Sequence, residues 1–211
     1  MQINKLLITA MLTVSAHAGT LLEVGPGGSA FFASAPIGFN AAFASAFTFD
    51  QTYTNVNVET MLGATATYPA GNAFLMRSIG TNTTSANQID SRILNFPTLP
   101  NLQNGSFQSL FNGLTLTAGT YYLVIETPVA NATEIVGLFL GDTDNTAPGI
   151  SHAGNFARVP AAAYAPSTNF VSYTVSNFRV RVSGDAAVPE PATAALTAAS
   201  LLALAIRKRR L

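Results

Sequence analysis

The sequence contains no cysteine and no tryptophan, and only 9% of it is charged. Soluble domains usually carry about 25% charged residues. Without cysteine there is no disulfide framework, no thiolate nucleophile and no cysteine-based zinc or iron–sulfur site. Ten lysines and arginines balance ten acids over 211 residues. No basic excess is left to neutralise phosphates, so the composition speaks against nucleic acid as a partner. Phosphate-loop and dinucleotide signatures are also missing. Gly25-Pro26-Gly27-Gly28 is rich in glycine but has no Lys-Ser/Thr pair, and it reads as a turn after a first short strand. No cofactor is expected. Hydrophobic residues make up 48% of the chain, too many for intrinsic disorder.

The balanced charge is a sum over unlike parts. Residues 1–18 have the order of a secretory signal peptide. Lys5 supplies the positive start, residues 6–14 the apolar run, and Ala16-His17-Ala18 the cleavage box, leaving Gly19 as the new N-terminus. The general secretion machinery is the implied partner. The other end is as distinct. Val188-Pro189-Glu190-Pro191 precedes an Ala/Leu-rich stretch, 192–206, and four consecutive cations, Arg207, Lys208, Arg209 and Arg210. As a helix that stretch is about 22 Å long, against the roughly 20 residues of a full span. Flanking arginine and lysine can snorkel to headgroups, and the cations stay cytoplasmic by the positive-inside rule. The expectation is a C-terminal transmembrane helix with the body, residues 19–187, outside the cytoplasm.

In this order the tripeptide, the short helix and the terminal basic cluster resemble a PEP-CTERM sorting signal. The resemblance covers residues 188–211. It implies a Gram-negative bacterium that makes extracellular polysaccharide. It also implies processing near Pro189-Glu190-Pro191 by exosortase, a membrane protease. The protein would then sit at the cell surface or in the extracellular matrix of a biofilm. Such tails have also been labelled ice-binding protein C-terminal domains, which describes the tail and not the body.

The body carries five arginines against nine carboxylates, a net charge of −4, and no lysine. Its about 170 residues fit one domain. Thr, Asn and Ser do the solvating, and period-two alternation is common while helical periodicity is not. Strands are expected at 119–127, 53–60, 73–77 and 134–140, and in the phenylalanine run from Phe39 to Phe49 that ends at Asp50. Residues 170–183 read as one long or two joined strands. There Phe178, Val180 and Val182 face one way, and Arg179 and Arg181 lie on a solvated face. Residues 81–111 read as loops with one or two edge strands, and 143–169 as loop. Short strands between Gly/Pro/Asn turns define an all-β chain, a single β-sandwich or jelly-roll-like ectodomain. More loosely, the body is similar to the β-sandwiches often found ahead of such tails. Phe47-Thr48-Phe49-Asp50, the run from Leu116 to Leu123 and the last strand carry that similarity at the level of fold alone.

No catalytic residue stands out. His152 is the body's one histidine and reads as a surface residue in a polar loop. Gly149-Ile150-Ser151-His152-Ala153 ends in alanine where a nucleophile elbow needs glycine, and it lacks the strand–turn–helix context. Asp142, Asp144 and Asn145 could offer oxygens to Ca²⁺, but Thr146 and Ala147 break the EF-hand pattern. The bland reading is an acidic turn. Three functions follow. The first is a non-catalytic surface protein in contact with polysaccharide, with Tyr122 and Tyr173 as exposed sugar-stacking rings or ordinary packed aromatics. The second is a secreted enzyme acting on polysaccharide or protein. The third is an ice-binding protein, although its threonines are not periodic.

Overall fold

The computed structural model describes residues 19–24, 42–64, 70–99, 105–126, 136–138, 140–141, 144–158, 164–174 and 177–187. These residues are all-β. In chain order the strands are β1 (Gly19–Val24), β2 (Ala42–Phe49), β3 (Tyr53–Ala64), β4 (Gly71–Met76), β5 (Gln88–Leu94), β6 (Phe107–Leu116) and β7 (Gly119–Glu126). They continue with β8 (Val136–Leu138), β9 (Leu140–Gly141), β10 (Asp144–Thr146), β11 (Ile150–Arg158), β12 (Val171–Tyr173), β13 (Asn177–Phe178) and β14 (Val180–Ala186). Among the described residues every pairing between these strands is antiparallel, with one isolated parallel bridge between Ala64 and Thr98. One sheet runs β10-β1-β14-β3-β6, with β8 also on β3. The other runs β12-β11-β2-β7-β4-β5, and β13 pairs with β9 apart from both.

Alternation explains the shared core. Phe43, Phe47 and Phe49 of β2, Tyr121, Leu123 and Ile125 of β7, and Ala73 and Leu75 of β4 point inward from the second sheet. Leu22, Val56, Val58, Val180 and Val182 meet them from the first. Phe47, Phe49, Tyr53 and Tyr121 form one aromatic group, with ring centroids 5.0 to 6.1 Å apart. The Tyr121 hydroxyl, inside that group, donates to the Thr117 carbonyl at 2.7 Å. Such rings bury much apolar area and favour tilted or offset geometry.

The second sheet is covered on its outer face too. Ala42, Ala44, Met76 and Val124 lie there against Ala165, with Phe74, Tyr122, Phe156, Tyr164 and Phe170 packed around them. Alanines at 42 and 44 let the short 3-10 turn Ala165–Ser167 lie against the strand. Burial pushes the Tyr164 phenol above its usual pKa, and its hydroxyl donates to Gln88 at 3.1 Å.

Two expectations need correction. Residues 143–169 are not simply loop, because β10 and the nine-residue β11 lie there. β11 is poor in β-branched residues and is held by pairing with β2 on one side and β12 on the other. A bulge between His152 and Gly154, where Gly154 has φ +105°, shifts its parity. Ile150 and His152 face inward before the bulge, and Asn155 and Ala157 after it, so simple alternation fails. Residues 170–183 are likewise not a continuous ribbon. They hold β12, β13 and the start of β14, each in a different sheet. β5 is an edge strand as expected. Phe39 and the turn at 25–28 lie outside the described residues.

Candidate functional site

The most connected polar group lies between the sheets near one edge. His152 Nδ1 is 2.9 Å from Asp144 Oδ2, and Ser45 Oγ is 3.3 Å from His152 Nε2. Asn177 Nδ2 donates to Asp144 Oδ1 at 3.1 Å, and Asn155 Nδ2 donates to Asn177 Oδ1 at 2.9 Å. With the ring proton on Nδ1, the imidazole donates to the carboxylate and its Nε2 accepts the Ser45 hydroxyl. The chain ties β2 and β11 of one sheet to β10 of the other and to β13. His152 is therefore not a surface residue, since its side chain is 5% exposed. It faces inward with Ile150, opposite Phe47, by the alternation that precedes the bulge.

Ser, His and Asp stand here in the order of a nucleophilic triad. The serine's surroundings do not suit that chemistry. Ser45 is 2% exposed, lies mid-strand between Phe43 and Phe47, and belongs to a strand paired on both sides. Its neighbours' N–H groups are committed to the ladders, so no free pair of donors faces a substrate oxygen. Ser151, the serine next to His152 in sequence, is exposed and on the opposite face. Gly149 has its own explanation. It sits at φ +80°, and a Cβ there would collide with the Asp50 carboxylate. The arrangement is a polar strut between sheets. Ser45 was missed in sequence, although a single hydroxyl at an inward position between two phenylalanines was the available sign. Beside it is a gap with room for about one water, lined by Phe43, Ser45, Thr60, Leu123, Ile125, Phe178 and Val180.

Removing the ring would leave the buried Ser45 hydroxyl, and one oxygen of the part-exposed Asp144, without this bond, at a cost of about 1–3 kcal/mol. His152→Ala is expected to lower the urea midpoint accordingly, and Ser45→Ala to lower it less. An unchanged midpoint in His152→Ala would remove the strut from the account.

Asp144 and Asn145, the two described members of the calcium trio, do not converge. Both Asp144 oxygens are engaged, by His152 and by Asn177. Asn145 is the next residue on the same strand, so it points to the other face. Asp142 lies outside the described residues. Among the described residues no three His, Asp or Glu side chains gather as a metal site.

Arg179, just before β14, and Arg181 within it also differ from expectation. Glu23, Arg181 and Glu59 occupy one row across β1, β14 and β3. Arg181 grips both Glu23 oxygens through Nε at 3.3 Å and Nη2 at 3.2 Å, and its Nη1 lies 3.7 Å from Glu59. Its guanidinium is 3.9 Å from the Phe107 ring centroid, and that of Arg179 is 5.3 Å away. The Arg179 and Arg181 side chains are 15% and 33% exposed. The face is thus a closed, charge-balanced layer whose aromatic ring is capped by cations, not an open solvated surface. Tyr122 and Tyr173 are not open platforms either. Tyr122 packs on Phe156 at 6.1 Å, and Tyr173 stacks on Phe178 at 5.5 Å.

Of the sorting and cleavage residues, Gly19 alone is described, as the first residue of β1. Ala16, Ala18, Val188, Pro189, Glu190, Pro191 and Arg207 to Arg210 lie outside the described residues. Among the described residues no helix is long and apolar enough to cross a membrane. No protein-family model matches the chain, and no curated protein matches it.

Proposed function

We propose that this chain is an exported, non-catalytic β-sandwich protein, carried outward by its first 18 residues and sorted through its C-terminal tail. In this reading exosortase cuts near Pro189-Glu190-Pro191, and the body takes its place among extracellular polysaccharide. The observation that carries it is the pairing of the two outermost described strands. β1 begins at Gly19 and β14 ends at Ala186, and they are antiparallel neighbours with Gly19 opposite Gly184. The residue left by signal cleavage and the residues entering Val188-Pro189 thus lie at one end of one sheet. Cutting at both junctions would remove the address segments and leave both strands intact. β14 also lies between β1 and β3, so the strand next to the tail is held on both sides and can keep the body folded after the cut. The non-catalytic part of the reading rests on the burial of Ser45.

Cell fractionation tests the reading. The full chain is expected in the membrane fraction before processing. A chain stopped after Ala187 is expected to be exported, soluble and folded. Retention of the stopped chain in the cytoplasm, or its export with the same membrane association as the full chain, would contradict it.

A further inference from the structure

We propose that β5 is a self-pairing edge, through which two copies of this chain join their second sheets into one continuous sheet. The inference rests on the body and not on the fate of the tail. β5 closes the second sheet at one end, and among the described residues only β4 pairs with it. Ser91, Arg92 and Ile93 are exposed, Ile93 at 71%. An open strand edge is a template for another strand unless it is short, bulged or charged against its likeness. β5 carries one bulge, at Ile89, but Asp90 to Leu94 pair with β4 in unbroken register, whereas the other described edges are shorter or more broken. β10 and β12 have three residues each, and β6 has several register breaks against β3 and a positive φ at Gly113.

β5 is seven residues long and reads Gln-Ile-Asp-Ser-Arg-Ile-Leu. A two-fold axis through Ser91 would place Asp90 of each copy opposite Arg92 of the other. Ile89, the extra residue of a bulge against β4, packs on the rim of the core while Ile93 faces outward, so these two side chains do not meet across the axis. Opposite charges directly across an antiparallel ladder stabilise it. A two-fold interface requires this self-complementarity. Neither charge has a described ion-pair partner in its own chain. Arg92 lies 5.3 Å from the Phe111 ring centroid, and Asp90 Oδ1 accepts the Ser91 N–H at 2.8 Å. That last bond shows that the Ser91 N–H is not spent on β4. On pairing, Asp90 would turn to the incoming arginine, and Ser91 would exchange backbone bonds with its own copy.

The chain has no cysteine, so a single introduced thiol reports without background. Hydrogen-bonded antiparallel pairs have Cα atoms about 5.5 Å apart, within disulfide reach. In the full chain under mild oxidation, Ser91→Cys is expected to give a disulfide-linked dimer, and Ser172→Cys on the opposite edge strand is not. Adding Arg92→Asp to Ser91→Cys sets two carboxylates against each other and is expected to cut cross-linking about tenfold. Adding Asp90→Arg as well restores the complementarity and is expected to restore the yield. Equal cross-linking through positions 91 and 172 would overturn the proposal. So would indifference to Arg92→Asp, or failure of the doubly charge-swapped chain to recover.

Discussion

Pro189→Ala with Glu190→Ala is expected to leave a full-length precursor in the membrane fraction. The loss of processed protein should be on the order of tenfold or more, the scale of about 1.4 kcal/mol in lost recognition. The physical reason lies in the backbone. Proline fixes φ, lacks an N–H and pushes the preceding residue towards extended conformations. Pro189 and Pro191 would therefore hold the junction extended between β14 and the apolar stretch 192–206. Alanine at 189 relaxes the first of these constraints, and loss of Glu190 removes the one carboxylate after Asp185. A protease that reads this junction loses both its shape and its charge. An immunoblot of membrane and surface fractions reads the outcome. Normal processing of the double variant would count against exosortase recognition while leaving the fold untouched.

Phe47→Ala is expected to destabilise the body by about 3–5 kcal/mol. Domains of this size are stable by only about 5–15 kcal/mol, so the variant would lose a large fraction of its folded population on warming. Phe47 is fully buried. Its ring lies 5.5 Å from Phe49 and 6.1 Å from Tyr121, and its strand is paired on both sides. The cavity would open in the middle of a sheet, where two neighbouring strands resist collapse. Ile93→Ala, which removes a side chain 71% exposed, is the control and should cost far less in the monomer. Urea denaturation monitored by circular dichroism compares the two. A Phe47→Ala midpoint equal to that of Ile93→Ala would contradict the placement of the core.

The strands that were legible are those whose alternation is unbroken. Tyr121, Leu123 and Ile125 on β7, and Phe178, Val180 and Val182 near the end, point inward as their period-two spacing requires. β11 was not legible because its bulge changes parity in mid-strand, and its residues are small and polar. The same event hid the candidate site. Only after the bulge is placed do His152 and Asn155 face the same side as Ser45. Asp144 joins them from the other sheet, which no local spacing encodes. The arginine layer was half legible. Alternation put Arg179 and Arg181 on the outer face, but their partner Glu23 is 158 residues from Arg181 in the chain. That contact exists only once β1 and β14 are paired. The tail is a different kind of reading, since its meaning lies in linear order and not in packing.

The most direct test of the central claim, a body exported and cut between two address segments, is the intact mass of the protein recovered from the cell surface or medium, with both termini sequenced. The account predicts a chain that begins at Gly19 and ends near Pro191, without the cations at 207–210. A surface-exposed chain that retains Met1 or Leu211 would contradict it.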